Sequence, residues 1–191
     1  MAIFSTRQSQ KSPQAPEDKK ESSEQVTVPV PDVEKLLDTA REQIGIMAGE
    51  NQATRYGNWY GLNNNPYSAM FVSWCFGKIE STALQEITSP KGFSSPKLGY
   101  EWFRDSGQLV ETEKARLGDL VFMRLYSDEV NHVGIVEEVL QTKFGLFRKP
   151  TALQTIEADV FGGLRSKGVH RKVRYLGAGS IVVAVARPSL F

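Results

Sequence analysis

The chain has 191 residues, 40% hydrophobic and 24% charged, with a net charge of +1. That suffices for one globular domain with a real core, and gives no field to draw nucleic acid or an acidic membrane surface. One cysteine excludes an intrachain disulfide, the two histidines fit no familiar zinc spacing, and no apolar run is long enough to span a bilayer.

Met1-Ala2-Ile3-Phe4 gives way at once to polar residues, so no secretory signal is read there. Residues 1–31 are rich in Ser, Gln, Lys, Glu and Pro, with four basic and four acidic side chains. Such a segment buries too little apolar surface to offset its ordering entropy. It is expected to be a disordered or docking arm ahead of a folded domain at 32–191. Asp32–Ile44 reads as a helix with Val33, Leu36, Leu37, Ala40 and Ile44 on one face, Asp32 as N-cap and Gly45 as stop. Residues 45–64 read as an irregular loop rich in aromatic, Gly and Asn residues, well placed to shape a cleft. Asn51, Tyr56, Trp59 and Tyr60 lie on it.

The stretch from Asn64 to Phe76 follows. Asn65 suits a cap and Pro66 the first helical position. Tyr67, Met70, Phe71, Trp74 and Cys75 then recur at helical spacing. Ser68 falls in the first turn, where backbone N–H groups are unpaired and the helix dipole favours an anion. Residues 79–95 read as a loop with a short helical piece. Ser95-Pro96 opens a helix that packs Leu98, Trp102 and Phe103 inward and stops at Gly107. After a turn at Leu117-Gly118-Asp119 come five strands: 120–123, 131–139, 152–157, 169–175 and 181–186. Helices first and an antiparallel meander second argue for an α+β domain, N-terminal helices packed on the sheet.

Pro66-Tyr67-Ser68-Ala69-Met70-Phe71-Val72-Ser73-Trp74 resembles the nucleophile motif of the CHAP family, the cysteine, histidine-dependent amidohydrolases/peptidases of phage-lysin type. That motif usually reads aromatic-Cys-Ala-x-Phe-Val-Ser-Trp, and here Ser68 holds the cysteine position. Tyr56-Gly57-Asn58-Trp59-Tyr60-Gly61 is similar to a run common in phage members. Leu117-Gly118-Asp119-Leu120-Val121-Phe122 with His132-Val133-Gly134-Ile135-Val136 resembles the second motif, whose histidine is the general base. Ile156-Glu157-Ala158-Asp159 is similar to the family's Ile-Glu-Gly-Asn, which places an acceptor beside that histidine. The resemblance implies a papain-like (NlpC/P60-CHAP) fold over about 32–188 and hydrolysis of an amide bond in bacterial peptidoglycan. Whether the activity is an N-acetylmuramoyl-L-alanine amidase or an endopeptidase stays open.

The resemblance carries Ser68 as nucleophile, His132 as base, Glu157 as its orienting acceptor and Asp159 as a second acceptor. Gly134, on the face of His132, would admit a close neighbour or substrate. Asn51, Tyr56, Trp59, Tyr60 and Tyr67 are the substrate-side candidates, Tyr56 and Asn51 also as donors to an oxyanion. His170, among cations, reads as structural, Asp119 as a turn residue and Cys75 as core. No metal and no cofactor is expected, since no Asp-x-Asp-x-Asp loop occurs. Three accounts of Ser68 stay open: an engineered replacement of a catalytic cysteine, favoured because the surrounding pattern is intact; a serine nucleophile; and a pseudoenzyme that binds wall without cutting. The expected partners are peptidoglycan and, through 1–31, a virion or tail-like assembly. Delivery to the wall would then be virion-borne or by host lysis, with no nucleic acid or membrane involved. The related NlpC/P60 peptidases are a further reading of the same motifs.

Overall fold

The computed structural model describes residues 1, 31–125, 127–144, 147–163 and 167–189. Nearly all of the expected arm lies outside the described residues. Among the described residues the domain is α+β, with four α-helices and a six-stranded antiparallel sheet.

Helix α1 (Pro31–Arg41) buries Leu36, Leu37 and Ala40 completely, with Val33 at the margin; it ends before Ile44, which packs on the core from the turns that follow. Asp32 is not its cap. It sits in the first turn and accepts from Lys35 Nζ at 3.1 Å. Gly45, at φ 88, closes the turns that follow. The loop expected over 45–64 contains a 3-10 turn (Glu50–Gln52) and a short helix, α2 (Arg55–Tyr60). Local chemistry explains α2: the Thr54 hydroxyl accepts from Gly57 N at 3.0 Å, and Gly61 ends the helix at φ 100.

Helix α3 (Ser68–Lys78) starts later than the Asn65-Pro66 pair suggests, with Tyr67 as N-cap and no side chain capping it. Every residue from Ser68 to Phe76 is buried, so α3 is a central helix rather than a striped one. Ser73 ties it to the following loop, donating to the Phe93 carbonyl at 2.7 Å and accepting from the Phe93 N–H at 2.9 Å. That loop contains turns but no helical piece. Helix α4 (Pro96–Asp105) is capped by the Ser95 hydroxyl and buries Phe103. Leu98, expected inside, is 48% exposed, because the core contact is made by Phe93 stacked on Gly99.

Strands β1 (Leu109–Val110), β2 (Leu120–Met123), β3 (His132–Phe144), β4 (Phe147–Phe161), β5 (Lys167–Tyr175) and β6 (Val182–Ala186) lie in the order β1-β6-β2-β3-β4-β5. The meander holds for β2 to β5. The two-residue β1 was not expected, and β6 crosses back between it and β2. Pro150 fits within β4 because it sits at a register shift, where a missing N–H is tolerated.

Leu120, Phe122, Val133, Ile135, Ile156 and Ala158 join α1 and α3 in the main core. Val121, Met123, Val136, Leu153 and Val185 form a smaller cluster on the other face. Strand alternation therefore puts His132, Gly134 and Glu157 on the face turned away from the body of α3. On the helix side, the buried Glu137 carboxylate accepts from Arg41 Nε (2.9 Å) and from Arg171 Nε (2.7 Å) and Nη2 (2.8 Å), clipping α1 to β3 and β5. Asp119 holds the turn before β2, accepting from Arg116 N and from Arg187 Nε and Nη2 at 2.8 to 2.9 Å.

Candidate active site

Three adjacent strands build the centre of the site. His132 opens β3, where Met123 of β2 is its cross-strand partner. Glu157 lies on β4, where the register places Gly134 beside it. His132 Nε2 and Glu157 Oε2 are 2.8 Å apart, with the two side chains 3% and 0% exposed. Arg174 of β5 grips the same carboxylate at two points, Nε to Oε1 at 2.7 Å and Nη2 to Oε2 at 2.5 Å. The Thr155 hydroxyl donates to Oε1 at 2.6 Å. Burial works against the charge on Glu157, yet the bonds from Arg174 and His132 outweigh it and hold the carboxyl down at about 2. An ionised carboxylate only accepts, so Nε2 carries a hydrogen and donates to Oε2. Nδ1 is the ring nitrogen left outside this contact, and the one through which the neutral ring could act as a base.

Gly134 makes this packing feasible. A Cβ there would lie 2.6 Å from Glu157 Cγ and 3.3 Å from the Ile156 carbonyl oxygen. The close neighbour expected at Gly134 is therefore chiefly the Glu157 side chain. Asp159 does not join the histidine. It sits at the bulge between Glu157 and Val160, in the left-handed region at φ 66, with Oδ1 3.0 Å from Lys167 Nζ. Asn and Asp tolerate that conformation better than most residues, a backbone reason for the residue type there.

Ser68 is the first residue of α3 and is 2% exposed. The helix packs on β3 and β4, and Tyr67 carries its hydroxyl beside Asp159. No hydrogen bond joins Ser68 to His132. Burial, then the neighbouring Asp159 charge, push the Tyr67 hydroxyl up, against the opposing effect of the Asp159 backbone N–H beside it. Cys75 is fully buried and its thiol is pushed up by burial, as suits a core residue.

The substrate-side candidates divide. Tyr56 and Tyr67 stack with ring centroids 6.1 Å apart and form one wall of a cleft of about 450 Å³, with Met47, Arg55, Asn58 and Asn63 among its other linings. The Tyr56 hydroxyl is turned to Gln43 Oε1 at 3.3 Å. Trp59 and Tyr60 lie away from this cleft: Trp59 packs on Gly77 and under Lys91, and Tyr60 bonds the Gly92 carbonyl and Ser89. Asn51 is exposed in the 3-10 turn at φ 52, also outside the cleft. His170 is folded onto Gly162 and Gly168, and burial followed by the Lys172 charge lowers its proton affinity. Arg174 and Thr155 were not anticipated. Thr155 could have been found by period, since it stands two residues before Glu157 on the same strand face.

Among the described residues no group of three His, Cys, Asp or Glu side chains could hold a metal ion, and no helix is long and apolar enough to cross a membrane. No protein-family model matches the chain, and no curated protein matches it.

Proposed function

We propose that the chain is a peptidoglycan amide hydrolase of CHAP type on a papain-like fold, with position 68 as nucleophile, His132 as base and Glu157 as its orienting acceptor. The observation that carries this reading is the buried His132–Glu157 contact, which commits Nε2 and leaves Nδ1 to accept a proton. In the proposed reaction a cysteine at 68 attacks the scissile carbonyl and its proton passes to Nδ1. The imidazolium returns that proton to the departing amine as the C–N bond breaks. Water, deprotonated by the same ring, then hydrolyses the thioester. The uncapped start of α3 supplies backbone N–H groups for the oxyanion. With serine at 68 the same path demands base-assisted ionisation of a far weaker acid, so this form is inactive or slow. The cleft beside Tyr67 is the proposed seat of the peptide or glycan.

The absence of a Ser68–His132 hydrogen bond, and the placement of His132 on the sheet face away from α3, favour a second reading. In it the domain is a non-catalytic wall-binding component of a phage tail-like assembly, docked through its N-terminal arm.

Clearing of purified bacterial wall in a gel distinguishes the two. Ser68→Cys should clear the wall, the parent should not, and adding His132→Ala should abolish clearing. Wall binding with no clearing by either form would establish the second reading. Equal clearing by parent and Ser68→Cys would make serine the nucleophile.

A further inference from the structure

Glu157 accepts from three side chains, and the strongest grip is not the histidine's. The Arg174 fork meets both carboxylate oxygens, whereas His132 meets Oε2 alone. A carboxylate held only by an imidazole rotates broadly about its last torsion and can exchange oxygens. A planar guanidinium bonded at two points fixes the plane and the identity of each oxygen. Arg174 does not touch His132. It lies on β5, one strand beyond Glu157 and opposite Leu153, so the three side chains meet along a diagonal across β5, β4 and β3.

We propose that Arg174 is a positioning residue: by clamping Glu157 it aims Oε2 at His132 Nε2 and fixes the tautomer that presents Nδ1 as base. Other ionisable groups on the packed elements are engaged elsewhere. Asp159 lies by Lys167, Lys172 Nζ bonds the Phe161 carbonyl, and Glu137 holds Arg41 and Arg171 on the opposite face. His170 is folded on Gly162 and Gly168, and on α3 Cys75 is buried and Lys78 lies over Trp74. The catalytic part of this inference rests on the function proposed above, while the tautomer part does not.

The test uses the full chain, 15N-labelled, with Arg174→Met and Arg174→Lys. Only two histidines contribute imidazole signals, and His170→Gln assigns them. In the parent, His132 should show hydrogen on Nε2 and a bare Nδ1. Arg174→Met should give mixed tautomers at the same pH. Arg174→Lys, which keeps the charge but not the fork, should not restore the single tautomer. In the Ser68→Cys background on soluble wall fragments, Arg174→Met should lower kcat at least tenfold with KM within twofold. Arg174→Lys should leave kcat reduced. Unchanged imidazole signals in Arg174→Met overturn the inference, as does an unchanged kcat in an active background. If Arg174→Met fails to fold, Arg174→Lys decides: a single tautomer and full kcat overturn it. If Ser68→Cys cuts nothing, the proposed function fails and the imidazole signals alone decide the role of Arg174.

Discussion

Gly134→Ala is the sharpest single perturbation of this site. The added methyl would sit 2.6 Å from Glu157 Cγ, against an ordinary carbon–carbon contact of about 3.5–4.0 Å, an overlap of about 1 Å. Glu157 cannot yield cheaply, because its carboxylate is pinned by Arg174, Thr155 and His132. Overpacking of this kind costs about 1–3 kcal/mol, and loosening one charge-assisted bond adds about 1.5–3 kcal/mol if Glu157 shifts. Against this, alanine regains about 0.5–1 kcal/mol of backbone entropy relative to glycine. The net expectation is a loss of about 2–5 kcal/mol, each kcal/mol of which lowers Tm by about 2–4 °C for a domain of this size. Urea unfolding of Gly134→Ala, Glu157→Ala and the double variant forms a cycle. If the contact is the cause, the double variant loses clearly less than the two single losses combined. Additive losses, or a Gly134→Ala domain as stable as the parent, would refute the argument.

Glu157 also makes stability depend on pH. Its carboxyl lies at about 2 instead of the ordinary 4.5, so its contribution is complete above pH 4.5 and fades as pH falls towards 2. At about 1.4 kcal/mol per unit, that is about 3 kcal/mol. In urea titrations the gap between the parent and Glu157→Gln should be widest at neutral pH and shrink by pH 3; a constant gap counts against it. Ser73→Ala strands both polar groups of Phe93 in the core and should cost about 2–4 kcal/mol by the same assay, a loss under 1 kcal/mol being contrary. Glu137→Gln should weaken the clip on α1. Amide hydrogen exchange should then speed up in α1 more than in α4, and uniform protection would contradict it.

Much of the fold could be read from local pattern. The strands β2 to β5 and the helices α1 and α4 announce themselves by alternation, by Ser95-Pro96 and by Gly107. What escaped was non-local or depended on a single bond. Helix α2 exists because Thr54 caps it, which composition rich in Asn and Gly obscures. The burial of α3 on every side follows from what surrounds it, and its own sequence displays only the richer stripe. At the site, His132 and Glu157 were named through motif likeness, and the structure puts them in contact. Asp159 was assigned to the histidine by the same likeness, yet the bulge turns it towards Lys167. Arg174 stood in a basic stretch that reads as a solvated strand, since nothing local reveals that a carboxylate on the neighbouring strand is buried.

The order of the sheet constrains how the protein can be made. Among the described strands β1 pairs only with β6, and about 70 residues part them in sequence, a late and entropically costly closure. A nascent chain on the ribosome can assemble β2 to β5 while β1 dangles and β2 shows a bare edge, the kind of edge that recruits strands from other molecules. Only when the segment carrying Val182–Ala186 emerges is that edge sealed, with Arg187 then locking against Asp119. Truncation ahead of Val182 should thus yield aggregates during synthesis, well before any question of catalysis arises.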